Sequence, residues 1–470
     1  MLSISILIFG CLLVSVLVPK YNILEKLILG FGVGFGIVNF IITINLVFSP
    51  INKLIIIVFC WIISLIIILK IPRTKKRNII NPCLLLKLNL NKYLISSLFI
   101  LVTIIIEFVI TFSLLVWPVN MWDAVALYDF RGRYFSQEHT LTDLASYSKP
   151  AQLKSGGLYY FSYPLLTSNL HAISYLDGIN NPKWVYVVLN VGFIYLFYKF
   201  LRRSKINISV SGILTFLLAS SYYFFKISII EYSNVPYVYY FVLGVLYFYE
   251  WLSKRRKGLL ILSLFLIIIS TQVRNLESLY IFYVLGLIVS MLVIKKERLR
   301  LLLGIITVTI SGQFWWKIIT LMNKGFIYAS EQDYISSSIM GGINNFSFIR
   351  VWEVVYYLAR SFWAYKWIYA LFFITLGFWG IKLLKKSVNT KEHVYFPFYI
   401  LGMSVYFMLG TYLFSFVNTS WNQVDISVQR AMMPLTPLVL AYVGVGVFSD
   451  NNIKFIFGDA TDKKNSSNNK

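Results

Sequence analysis

The stretch MWDAVALYDFRGRYF, residues 121–135, sets Asp123, Asp129, Arg131 and Arg133 among five aromatic side chains. A carboxylate can act as a general base on a hydroxyl group, and an arginine fork can bind two phosphate oxygens at once. Charges so close in sequence can also satisfy one another. If 121–135 is helical, Asp129 and Arg133 stand four residues apart and form a surface pair worth about 0.3–0.5 kcal/mol. On that helix Asp123 is turned about 120° from Asp129, so the two carboxylates face apart unless the helix bends. Asp123 then either caps free N–H groups at a helix start or works as a base beside the apolar end of the preceding helix.

The elements that must position these residues follow from composition. The chain has 470 residues, of which 58% are hydrophobic and 13% charged, and its mean hydropathy is +0.72. Such a sequence is too apolar for a soluble domain and reads as an all-α integral membrane protein. Its long Leu, Ile and Phe runs lack the two-residue alternation of a membrane β-barrel. With roughly 20 apolar residues needed per crossing, about thirteen spans are expected. They fall near 2–18, 26–48, 53–71, 93–117, 183–201, 208–227, 236–253, 258–272, 277–294, 301–321, 364–384, 393–415 and 431–448.

RTKKRN (73–78), RRSK (202–205), KRRK (254–257), KKERLR (295–300) and KKSVNTK (385–391) all fall on one side of this scheme. The positive-inside rule makes that side cytoplasmic and puts Asp123 at the start of the longest outer loop, 118–182, and the membrane is expected to be the plasma membrane. The net charge of +24 is then a matter of orientation and anionic lipid, and no nucleic-acid partner is expected. Residues 449–470 read as a polar, disordered tail. The outer loop 322–362 reads as a lid followed by an interfacial helix. Cys11, Cys60 and Cys83 have no paired spacing, and His139, His171 and His393 form no metal-binding pattern with the acids. No resident cofactor is expected, although loops distant in sequence could still assemble a divalent-metal site. Glu107, inside the span that leads to Asp123, calls for a partner within the bundle.

A long first outer loop that opens with an acid directly after a span resembles the GT-C superfamily of membrane glycosyltransferases. WDAVALYDFRGRYF is similar to the loop opening of the dolichyl-phosphate-mannose protein mannosyltransferase and ArnT-like group. YFSYPLLTSNLHAISYLDG (160–178) resembles the family's short tyrosine and proline segment before the next span. EYSNVPYVYYFVL (231–243) resembles its acid-and-proline turn, TQVRNLESL (271–279) its basic-then-acidic turn, and SVQRAMMPLTPLVL (427–440) its R-x-x-x-P-L-x-P start of a late helix. The resemblance covers residues 93–448 and leaves residues 1–92 as an addition. Asp-Ala at 123–124 departs from the family's commoner pair of adjacent acids.

The resemblance implies transfer of a sugar from a polyprenyl-phosphate carrier to an envelope glycan, lipid or protein. Asp123 matches the general base, with Asp129 as a second acid. Arg131, Arg274 and Arg430 are candidates for the leaving phosphate, which needs fixed positive charge. Arg274 could instead pair with Glu277, three residues on, and Arg430 could be an interfacial anchor. Glu231 is a further candidate or a helix-end charge. Tyr163, with Trp117, Trp122, Tyr128, Tyr134, Tyr159 and Tyr160, could line a sugar cleft or form the aromatic belt. Competing expectations are an O-antigen polymerase or ligase, whose large outer loop usually comes late, and a lipid or glycan transporter, which would carry charges near mid-span.

Overall fold

The computed structural model describes residues 1–70, 94–144, 163–274, 340–384, 395–416 and 425–448, with short pieces at 286, 288, 304–307, 312, 314–316, 318–319 and 422. Most of the spans expected near 277–294 and 301–321, the lid, Glu277, Tyr159, Tyr160 and the tail lie outside the described residues. Every regular element described is helical. In chain order they are α1 (Leu2–Leu17), α2 (Ile23–Phe48), α3 (Lys53–Lys70), α4 (Leu94–Val116), a π-helical turn (Ala124–Asp129), α5 (Phe130–Ser136), α6 (Leu166–Leu176), α7 (Trp184–Arg203), α8 (Ile208–Ser220), α9 (Tyr222–Ser228), α10 (Asn234–Lys254) and α11 (Lys257–Thr271). After a gap come α12 (Phe348–Ala364), α13 (Lys366–Leu384), α14 (Tyr395–Phe414), α15 (Asp425–Ala431) and α16 (Leu435–Phe448).

Five helices are each long and apolar enough to cross a bilayer: α2, α3, α4, α7 and α14. Two broken pairs, α8 with α9 at 62° and α12 with α13 at 87°, raise the number to as many as seven among the described residues. The chain is therefore a helical membrane protein. The difference from about thirteen lies partly in short apolar helices such as α1, α11 and α16 and partly in residues not described. α12 turns almost perpendicular to α13 and exposes Ile349, Trp352, Tyr356 and Trp363 while burying Val354 and Leu358. That aromatic stripe suits a helix lying in the membrane surface.

The first helices do not stand apart from the rest. α2 is packed on several sides, and its glycines at 30, 32, 34 and 36 make this possible. A Cβ on Gly10 of α1 would overlap the Gly30 carbonyl, and one on Gly34 would sit 2.5 Å from the Ile6 carbonyl oxygen, so α1 and α2 touch backbone to backbone. Without a hydrophobic drive between helices in lipid, such close approach is what holds them together. α10 is buried from Asn234 to Leu252, and its tyrosines must find acceptors inside the bundle. Tyr239 and Tyr240 donate to the Ile28 and Gly32 carbonyls of α2 at 2.8 and 2.9 Å.

At one end of the bundle Arg203 of α7 binds Glu25 of α2 and, at 2.7 Å, Glu250 of α10, with its guanidinium 4.4 Å over the Tyr21 ring. The segments that carry Asp123, Glu231 and Arg274 gather at the opposite end.

Gly10→Leu is expected to force α1 off α2 at a cost of about 1–3 kcal/mol, read as a lower thermal unfolding midpoint in detergent. Gly377→Ala in α13, where a Cβ would meet nothing within 4 Å, is expected to leave that midpoint unchanged or slightly raised.

Candidate functional site

The chain leaves α4 and is pinned at once. The Leu115 carbonyl accepts from the Asn181 amide at 3.0 Å, and the Pro118 carbonyl from Lys183 Nζ at 3.3 Å. Asp123 follows at the lip of the π-helical turn, where the Phe130 N–H reaches back to the Val125 carbonyl. That five-residue step widens the helix and sets Asp123 and Asp129 towards different neighbours.

Asp123 Oδ2 accepts a hydrogen bond from Arg430 Nη1 at 3.2 Å, across 307 positions of sequence. Arg430 lies at the end of α15, its guanidinium 4.8 Å over the Tyr232 ring. Asn234, at the start of α10, ties two segments together. Its amide donates to the Arg430 carbonyl at 2.8 Å, and its Oδ1 accepts from Arg274 Nη2 at 2.9 Å. Arg274 Nε donates to the Ser233 hydroxyl at 2.9 Å, and its guanidinium sits 5.8 Å from the Tyr237 ring centre. Asp123, Arg274 and Arg430 thus converge on the turn 232–237. The Asp123 and Arg430 side chains remain 30% and 26% exposed, so the pair is open to a ligand. Burial, followed by the Asp123 charge, pushes the Tyr232 phenol up.

The other candidates are held elsewhere. Asp129 accepts from Arg133 Nε at 2.9 Å and from the Tyr175 hydroxyl, and His171 Nδ1 lies 3.2 Å from its Oδ1. The i,i+4 pair with Arg133 forms, but its carboxylate is buried and shared with two more partners. Burial works against ionisation there, yet the hydrogen bonds from His171, Tyr175 and Arg133 outweigh it and hold the carboxyl at about 2. Arg131 is wholly buried, with its guanidinium on the carbonyls of Leu127 at 3.3 Å and Tyr163 at 2.9 Å. Burial pushes that guanidinium down to about 10. A phosphate could reach it only by unpacking the loop, so Arg131 and the Tyr163 carbonyl fasten two parts of the loop together. Glu231 is buried against Lys183 at 2.6 Å.

These groups form one line. His171 Nε2 lies 3.0 Å from the Tyr186 hydroxyl, which donates to the Glu231 carbonyl at 3.1 Å. α5 and α6 can carry it because Gly132 lets them meet; a Cβ there would sit 2.5 Å from the His171 Cβ. Lys183, His171, Tyr232, Ser233 and Asn234 escape a reading based on spacing. Lys183 alone carries a signal, since a lysine at a helix start away from the basic loops runs against the positive-inside pattern. Among the described residues no three His, Cys, Asp or Glu side chains are grouped to hold a metal ion. No family model matches the chain, and no curated protein or solved structure shows significant similarity to it.

Asp129→Asn is expected to lower stability by about 1–3 kcal/mol by leaving the buried His171 and the half-buried Tyr175 without their ion. Because folding depresses this carboxyl from about 4 to about 2, its contribution is complete at neutral pH. It is lost as pH falls through that window. Thermal unfolding of wild type and Asp129→Asn between pH 5 and 2 should therefore converge.

Proposed function

We propose that the chain is a membrane glycosyltransferase. It moves a sugar from a polyprenyl-phosphate donor to an envelope glycan, lipid or protein on the extracytoplasmic face of the plasma membrane. Its architecture in this reading is about thirteen spans, those within residues 93–448 forming a GT-C-like core. The observation that supports it most is an accessible carboxylate, Asp123, bonded to Arg430, with Arg274 held on the same turn through Ser233 and Asn234. A catalytic carboxylate beside an arginine-lined anion site is what transfer from a lipid phosphate requires.

In the resting state Asp123 and Arg430 satisfy each other. An arriving phosphate competes for Arg430, with Arg274 anchored on the same turn, and so frees Asp123 for the acceptor. Asp123 takes the hydroxyl proton as the acceptor oxygen bonds to the anomeric carbon. The bond from that carbon to the phosphate oxygen breaks, and the electron pair leaves with the polyprenyl phosphate, whose charge the guanidinium groups hold. Asp129, Arg131, Glu231 and the Tyr163 backbone act through position, by fixing the loop and the turn from which these groups project.

Native mass spectrometry of the purified protein with polyprenyl phosphate tests this. Wild type and Asp123→Asn are expected to retain the lipid, while Arg274→Ala weakens it about tenfold, the scale of one lost charge-assisted contact. Binding that is absent, or indifferent to both Arg274→Ala and Arg430→Ala, would overturn the donor assignment.

A further inference from the structure

α4, α7 and α8 leave between them a cavity of about 510 Å³, lined by neither member of the Asp123 pair. Ile100, Ile104, Val191 and Ile194 form its walls, and the accessible lining is almost entirely hydrocarbon. Its rim on α4 is open: Leu101 and Ile104 are 53% and 59% exposed on a helix that spans the membrane. What can enter from that side is what the bilayer offers, and the volume suits one chain-sized ligand.

One lining group does not fit a plain hydrocarbon. Glu107 reaches the cavity wall while only 7% exposed. Its Oε2 accepts from the Asn190 amide at 2.8 Å, and Asn190 in turn accepts from the Ser228 hydroxyl at 3.0 Å. Glu107 Oε1 is buried with no hydrogen-bond partner among the described residues. A buried carboxyl oxygen without a partner in lipid surroundings costs several kcal/mol, so it marks a place where a ligand supplies the missing contact.

We propose that this cleft binds one hydroxyl-bearing lipid, its chain along α4, α7 and α8 and its hydroxyl on Glu107 Oε1. A hydroxyl both donates and accepts, so it answers the carboxyl in either protonation state. A lipid ammonium would add a second charge to be stripped of water, and an ether or ester oxygen can only accept. This site is independent of the donor assignment above, since it shares no residue with the Asp123, Arg274 and Arg430 cluster.

The test is native mass spectrometry of delipidated full-length protein with octadecanol and with octadecane, which keeps the chain but can neither donate nor accept. Wild type is expected to prefer the alcohol by roughly five- to tenfold, the scale of one hydrogen bond. Glu107→Gln retains an oxygen acceptor and should keep much of that preference. Glu107→Leu should abolish the preference without abolishing chain binding. Ile194→Trp, which fills the cleft, should remove both ligands while leaving polyprenyl-phosphate binding unchanged. Equal binding of alcohol and alkane to wild type, or a preference that survives Glu107→Leu, would overturn the role of the carboxyl. Ligand binding untouched by Ile194→Trp would overturn the cleft itself.

Discussion

The buried ion pair between Lys183 and Glu231 is the contact on which the arrangement of the Asp123 end depends. At 2.6 Å, with side chains 1% and 2% exposed, neither charge can return to water without the other. Removing one partner of such a pair typically costs about 3–5 kcal/mol, because the survivor is left buried and uncompensated. Lys183 also holds the Pro118 carbonyl, and Tyr186, one turn later, holds the carbonyl of Glu231 itself. Three stretches of chain, at 118, 183–186 and 231, are thereby locked at one place. Asp123 lies five residues beyond the first, and Ser233 and Asn234 come two and three residues after the last. The pair thus sets where the accessible carboxylate and the arginine-binding turn stand.

From that place the charges divide by exposure. Asp129, Arg131, Lys183 and Glu231 are buried, each with a partner at fixed distance, and such groups rigidify a loop because leaving one unmatched is expensive. Asp123 and Arg430 are bonded at 3.2 Å with part of each side chain still reaching solvent. A partly exposed pair is worth little to stability. It can open for a competing anion, which the buried network cannot. The same residue types therefore serve two purposes, separated by how much water each retains.

This division explains which parts were legible in the sequence. Apolar runs predict helices because each crossing must satisfy its own backbone, and the described helices begin and end close to the runs. Asp129 with Arg133 is legible because it is local, four residues apart on one helix. The grouping of Asp123, Arg274 and Arg430 could be guessed only from the order of short segments, for the contacts span 40 to 307 positions. The burial of Arg131 and the partner of Glu231 had no local trace. Nothing in FRGRYF distinguishes the arginine that turns inward, wholly buried, from Arg133, which stays 59% exposed. Packing decides that, through Gly132 and the carbonyls of a segment about thirty residues away.

Packing also ties residues 1–70 to the rest of the bundle. α2 enters the core beside α10 because its glycines leave room for Tyr239 and Tyr240, and near its far end Asn39 and Thr43 meet Asn169 of α6. Asn169 donates to Asn39 at 2.7 Å and to Thr43 at 3.2 Å, a buried polar knot that apolar packing alone would not hold in register. α6 also carries His171 and Tyr175, the partners of Asp129. At its other end α2 is joined through Glu25 to Arg203, and through Arg203 to α7 and α10. A helix fixed at both ends by charge and hydrogen bonds, and pressed along its length by glycine contacts, transmits position from one face of the bundle to the other. The N-terminal helices therefore act as the strut against which the loop helix α6 is braced, and the geometry at Asp129 rests on them.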